Sequence, residues 1–112
     1  MGEVKRIPVK SEEEVWFLEK QINLFDILDF FPIDAVESAN GHGKSLLIET
    51  DRGWSFVTDI EKGKFAFRKK SKSMPGTGKW VVESELKPGD VVCIEKLGSY
   101  HYRLFKESAG IS

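Results

Sequence analysis

The residues of this chain whose types suit chemistry are few and scattered. Ser38-Ala39-Asn40-Gly41-His42-Gly43-Lys44-Ser45 ends like a phosphate-binding loop, in which backbone N–H groups and a lysine cradle the phosphates of a nucleotide. That loop needs a glycine at its first position and a helix after its last, so that the phosphates meet a helix N-terminus. Here the first position is Ser38, and Leu46-Leu47-Ile48-Glu49-Thr50 after it reads as a strand. Cys93 lies inside the apolar stretch Val91-Val92-Cys93-Ile94, where a nucleophile is shielded from substrate and a small buried apolar residue is the simpler reading. One thiol makes neither an internal disulfide nor a cysteine-based zinc site. His42 and His101 are the only histidines, and His101 falls in an alternating, strand-like segment. Asp51, Asp59 and Glu61 with Lys64 have the composition of a metal-dependent nuclease site, yet any β-rich surface offers such combinations.

Charge is the more informative signal. Residues 1–60 carry six Lys/Arg against twelve Asp/Glu, and residues 81–112 carry four against five. Residues 61–80 carry seven cations, Lys62, Lys64, Arg68, Lys69, Lys70, Lys72 and Lys79, against Glu61 alone. The net charge of −1 hides this basic segment. Phosphate binders concentrate positive charge in this way. Ser, Thr and Gly lie between the cations, so backbone N–H groups can approach phosphates beside them. A solvated, flexible hairpin carrying charge for solubility is the alternative reading of the same composition.

These residues must be positioned by short elements. Val4–Lys10 alternates and suits a strand. Ser11-Glu12-Glu13-Glu14 matches a capping box that starts a helix through Val15, Leu18 and Ile22; Val15-Trp16-Phe17-Leu18 is also of strand length, and periodicity leaves the two open. Residues 24–31 suit a helix with Asn23 as cap and Pro32 as stop. From residue 45 the pattern is β and mostly antiparallel: 46–50, a turn at Asp51-Arg52-Gly53, 54–58, a turn at 61–64, 65–67, a short strand at Trp80-Val81-Val82, a tight turn at Leu86-Lys87-Pro88-Gly89-Asp90, then 91–95 pairing with 100–105 around Gly98. Trp54, Phe56, Val91, Cys93, Ile94 and Leu104 are expected to fill the core, although Cys93 and Ile94 are neighbours and one of them should face out of a regular strand.

Short strands at this spacing indicate a mainly β fold: a small open barrel or pseudobarrel of about seven mostly antiparallel strands with one or two short helices. The 112 residues suit a single domain, 1–112. No apolar stretch approaches the ~20 residues of a membrane span, and no apolar run follows Met1–Arg6 as a secretory leader would require. A soluble cytoplasmic protein without a cofactor, a metal or a membrane partner is the expectation.

Leu86-Lys87-Pro88-Gly89-Asp90-Val91-Val92 resembles the Leu-x-x-Gly-Asp turn near the end of B3-type DNA-binding pseudobarrels, and a final hairpin at Tyr100-His101-Tyr102-Arg103-Leu104 follows it in the family's order. Asp29-Phe30-Phe31-Pro32, Gly76-Thr77-Gly78-Lys79 and the ending at Tyr100–Leu104 resemble the B3-like target-recognition domain of BfiI-type restriction endonucleases, over residues 24–106. The resemblance implies a seven-stranded open barrel that grips the DNA major groove between two arms. The second arm would leave after the strand at Trp54–Thr58, at or beside the basic stretch 61–79. The first would follow the opening strand near Lys10, with Arg6, Lys10 and Ser11 contributing, but Glu12-Glu13-Glu14 departs from the pattern there. Within these residues nothing resembles the catalytic domain of the restriction enzymes.

Three readings follow. The first is a non-catalytic nucleic-acid-binding domain that holds double-stranded DNA through Lys62, Lys64, Arg68, Lys69, Lys70, Lys72 and Lys79, with Arg6 and Lys10 beside them and Arg68 best suited to reading guanine. The second is a regulatory or adaptor domain with a protein partner on its acidic half. The third is a small enzyme.

Overall fold

Ser11 settles the open question of residues 12–20. In the computed structural model, which describes residues 3–39, 41–63, 65–68 and 76–107, Ser11 is extended and its hydroxyl accepts the Glu14 N–H at 3.2 Å. Helix α1 (Glu12–Lys20) follows. The Glu14 carboxylate reaches back to the N–H of Lys10, one residue before the cap. Glu12, Glu13 and Glu14 in the first turn and Lys20 in the last both suit the helix dipole. Leu18 is the buried residue of α1; Trp16 and Phe17 face outward.

The strands are β1 (Val4–Pro8), β2 (Leu46–Thr50), β3 (Ser55–Thr58), β4 (Ile60–Glu61), β5 (Ala66–Phe67), β6 (Val91–Gly98) and β7 (His101–Glu107). Five form one sheet in the order β1-β6-β7-β2-β3, and β4 pairs with β5. β1 and β3 are edges of the sheet, so the barrel is open. The described pairings are antiparallel except β2 with β7, which run parallel from Leu47 opposite His101 to Thr50 opposite Leu104. Isolated bridges, Asn23 to Ala66 and Val36 to Ile60, flank the β4–β5 pair. The fold is therefore mainly β, as the strand spacing indicates.

Two segments differ from the sequence expectation. Trp80-Val81-Val82 belongs to helix α2 (Thr77–Ser84), not to a strand. Three apolar residues cannot distinguish the two states; here Trp80, Val81 and Ser84 form one buried face while Val82 is exposed. The end of α2 is fixed by Glu85 in the left-handed conformation and by the Lys106 ammonium, which donates to the Ser84 carbonyl at 2.8 Å. Residues 25–30 form a 3-10 helix interrupted at Ile27 rather than a regular α-helix. The Asn23 side chain does bond the Phe25 N–H, and Pro32 is extended beyond the end.

Of the residues expected in the core, Phe56, Cys93, Ile94 and Leu104 are buried. Trp54 and Val91 are only half-buried. Trp80, fully buried, occupies the central place, with its indole N–H on Asp51 at 2.8 Å; Trp54 lies at the rim and bonds Glu83. Cys93 and Ile94 are buried together because both faces of β6 are covered: Ile94 joins the core, whereas Cys93 lies between its cross-strand neighbours Arg6 and Phe105. Burial pushes the Cys93 thiol up to about 11.

Candidate nucleic-acid interface

Arg68 closes the β4–β5 hairpin rather than facing outward. The ladder pairs Ile60 with Phe67, and its next step sets Asp59 opposite Arg68, whose N–H donates to the Asp59 carbonyl at 2.8 Å. The Arg68 guanidinium then donates to both Asp59 carboxylate oxygens, at 2.6 and 3.1 Å. Glu37 and Glu61 lie 3.7 and 3.9 Å away. Burial alone would raise the Asp59 carboxyl; the Arg68 bonds, with the Gly43 N–H at 2.8 Å, outweigh it and hold the carboxyl below its ordinary range. A guanidinium held by three carboxylates is occupied as a structural latch.

The same latch explains the loop that resembled a phosphate cradle. The Gly43 N–H is spent on Asp59, the Lys44 ammonium lies 3.7 Å from Asp34, and the chain continues into β2 instead of a helix. Gly43 has a packing reason of its own: a Cβ there would sit 2.1 Å from the Ala35 carbonyl oxygen. Of the carboxylates that suggested nuclease chemistry, Asp51 lies apart on Trp80 and the Lys106 N–H, while Asp59 and Glu61 meet at Arg68, which occupies the space between them; Lys64 lies outside the described residues. His101 meets Glu49 on the outer sheet face, apart from the core side of Ile48 and Tyr102.

The remaining cations divide by position. Lys62 is exposed in the β4–β5 turn, its N–H on Glu37. Lys79 lies on α2, 4.0 Å from Glu83 and over the Trp54 ring. Arg6 sits on the outer face of β1 and bonds Glu107 at 3.2 Å; Lys10 is exposed between β1 and α1. Lys64, Lys69, Lys70 and Lys72 lie outside the described residues.

The two ends of the basic segment are anchored to one stretch of chain. On the first side, Ala66 bridges Asn23 and the Leu24 N–H bonds the Phe65 carbonyl at 2.7 Å. On the second, α2 packs on α1, and Gly78 lies so close that a Cβ would meet the Glu19 carbonyl oxygen at 2.8 Å. Residues 19–24 thus form a common seat for the described chain at Phe65–Ala66 and at Gly78. The sequence offered a signal for this anchoring in Gly76-Thr77-Gly78, where close backbone approach favours glycine.

An open pseudobarrel with a mixed five-stranded sheet, a separate hairpin and two short helices defines the class of this domain. No protein-family model and no curated protein sequence matches the chain. Among solved structures it is similar to "Structure of the hypothetical Arabidopsis thaliana protein At1g16640.1", at a TM-score of 0.60 and 13% identity, covering 100% of this chain and 96% of that one. At that identity the likeness is one of fold. Among the described residues no helix is long and apolar enough to cross a membrane.

Proposed function

We propose that this chain is a non-catalytic nucleic-acid-binding domain of B3-like type that holds double-stranded DNA by its phosphates through the basic segment 61–79. The observation that carries the reading is the concentration of seven cations against one acid in that segment of an otherwise acidic chain. The exposure of Lys62 and Lys79, which lie among the described residues of the segment, supports it. The open pseudobarrel is also the scaffold that the B3 resemblance implies. Arg68, held by Asp59, serves the shape of the segment, so the phosphate contacts fall to Lys62, Lys64, Lys69, Lys70, Lys72 and Lys79. Arg6 and Lys10 are subsidiary, Arg6 being paired with Glu107. A lone buried thiol suits a cytoplasmic protein.

The test is binding of duplex DNA at a series of salt concentrations by the whole chain and by the variant Lys69→Gln, Lys70→Gln, Lys72→Gln. Each phosphate contact releases about one counterion, so the variant should bind more weakly on every sequence and its salt slope should flatten by about three units. Equal affinity and equal slope, with the variant folded, would remove this reading and favour a protein-binding adaptor.

A further inference from the structure

β1 and α1 enclose an apolar groove of about 160 Å³ at one edge of the sheet. Ile7 and Pro8 form its strand wall. Glu14, Phe17 and Leu18, which share one face of α1 at helical spacing, form the other wall, with Ile22 beyond them. Phe17 is 54% exposed, although Leu18 beside it is buried. An engineered cavity of about 150 Å³ accepts benzene, so the groove has room for one large aliphatic side chain.

The edge of β1 beside this groove carries backbone groups that the sheet does not use. The Lys96 N–H donates to the Glu3 carbonyl at 2.8 Å at one end of the β1–β6 ladder, and the Val9 N–H donates to the Asp90 carbonyl at 2.9 Å at the other. Hydrogen-bonded pairs alternate along an antiparallel ladder. Lys5 and Ile7 therefore bond β6, whereas the N–H and C=O groups of Val4 and Arg6 and the C=O of Pro8 point away from the sheet. Pro8 lacks an N–H at a position where β6 needs none. Among the described residues no strand pairs with this side of β1.

Charge selects the occupant. Residues 10–21 carry Glu12, Glu13, Glu14 and Glu19 against Lys10 and Lys20, and the Lys20 ammonium rests over the Trp16 ring. On β1, Lys5 and Arg6 are paired with Glu3 and Glu107. The helix wall therefore repels phosphate and acidic peptides and attracts basic ones. We propose that the groove binds an extended basic segment of a partner protein, which adds to β1 as a sixth strand of the sheet and lays a large aliphatic side chain between Ile7 and Phe17. Strand addition takes its affinity from main-chain hydrogen bonds and its specificity from pockets for alternate side chains. Lysines or arginines on the face that carries the aliphatic residue meet the carboxylates at the start of α1. This site uses none of the cations of the segment 61–79 and goes beyond the nucleic-acid reading.

The probe is a fluorescein-labelled nonapeptide, Lys-Thr-Lys-Thr-Leu-Thr-Lys-Thr-Lys, whose leucine and lysines share one face of a strand. Anisotropy titrations with the whole chain should show saturable, micromolar binding, and the same peptide with glutamate for lysine should not bind. N-methylating every second residue of the probe, in either frame, removes the N–H groups along one of its edges; at least one frame should weaken binding about tenfold or more. Arg6→Pro removes an outward N–H that the fold does not use and should cost about tenfold. Arg6→Gln loses the same ion pair with Glu107 but keeps the N–H, and should bind like wild type. Phe17→Ala should weaken binding about fivefold. If Arg6→Pro does not fold, the N-methylated probes make the same test on the wild-type chain. No binding of the lysine probe, equal binding of the glutamate probe, unchanged binding in both N-methylated frames, or equal losses in Arg6→Gln and Arg6→Pro would each overturn the proposal. So would a dimer of the protein alone, seen by sedimentation and dissolved by Arg6→Pro, which would assign the edge to a second copy of the chain.

Discussion

Replacing Arg68 with glutamine removes one half of a largely buried ion pair and leaves the other half behind. The Asp59 side chain is 7% exposed and that of Arg68 22%. After the substitution the Asp59 carboxylate keeps the Gly43 N–H but loses the bonds at 2.6 and 3.1 Å. Stranding one partner of a buried pair costs ~3–5 kcal/mol. The partial exposure of Arg68 and the proximity of water favour the lower end, about 3 kcal/mol. For a domain of this size that corresponds to a fall in melting temperature of roughly 12 °C. Thermal and urea unfolding followed by circular dichroism measure it. The double variant Arg68→Gln, Asp59→Asn should recover much of the loss, because both charges leave together. The pH dependence has a defined sign. The folded pKa of Asp59 lies below its ordinary 3.8, so the pair's contribution is complete above that value and is lost as pH falls through the folded pKa. In Arg68→Gln this acid-sensitive contribution should disappear. An Arg68→Gln protein that melts within 2 °C of wild type at neutral pH would refute the latch.

Trp80→Ala should cost ~3–5 kcal/mol, close to unfolding in a domain worth ~5–15 kcal/mol, whereas Trp54→Ala at the rim should cost visibly less; parallel melts rank them. Gly43→Ala should be destabilised by about 3 kcal/mol or more, since its Cβ would press on the Ala35 carbonyl, and urea midpoints measure this. Cys93, buried with its thiol pushed up to about 11, should resist a thiol reagent at pH 8 until the protein unfolds. Its ordinary value is 9.0, so the unfolded chain releases this proton first and stability should fall as pH rises from about 9 to 11.

The legible parts of this fold were those with local signals. Ser11 and Glu14 mark a helix start at fixed spacing, Gly98 ends β6 and pairs with His101 across the Ser99-Tyr100 turn, and Leu86–Asp90 forms its turn with Gly89 at a φ of +100°. The parallel pairing of β2 with β7 has no such signal, because it joins residues more than fifty positions apart. Trp80 was misassigned because a buried helix face and a buried strand look alike over three residues. Arg68 is the instructive case for the site. Inside a run of cations it reads as solvent-facing, yet the β4–β5 register puts it opposite Asp59. With Ile60 opposite Phe67, opposite charges face each other in the next pair. Lys62, in the β4–β5 turn, and Lys79, on α2 beside Glu83, remain on the surface.

The most direct test of the interface is a residue-level NMR titration of the whole chain with duplex DNA at low and high salt. The shifts should gather on Lys62, residues 65–68 and 76–79 and the seat at 19–25, and should shrink as salt rises. Shifts centred on the outer sheet face around Glu49, His101 and Arg103, or no shifts in the basic segment at saturating DNA, would contradict it.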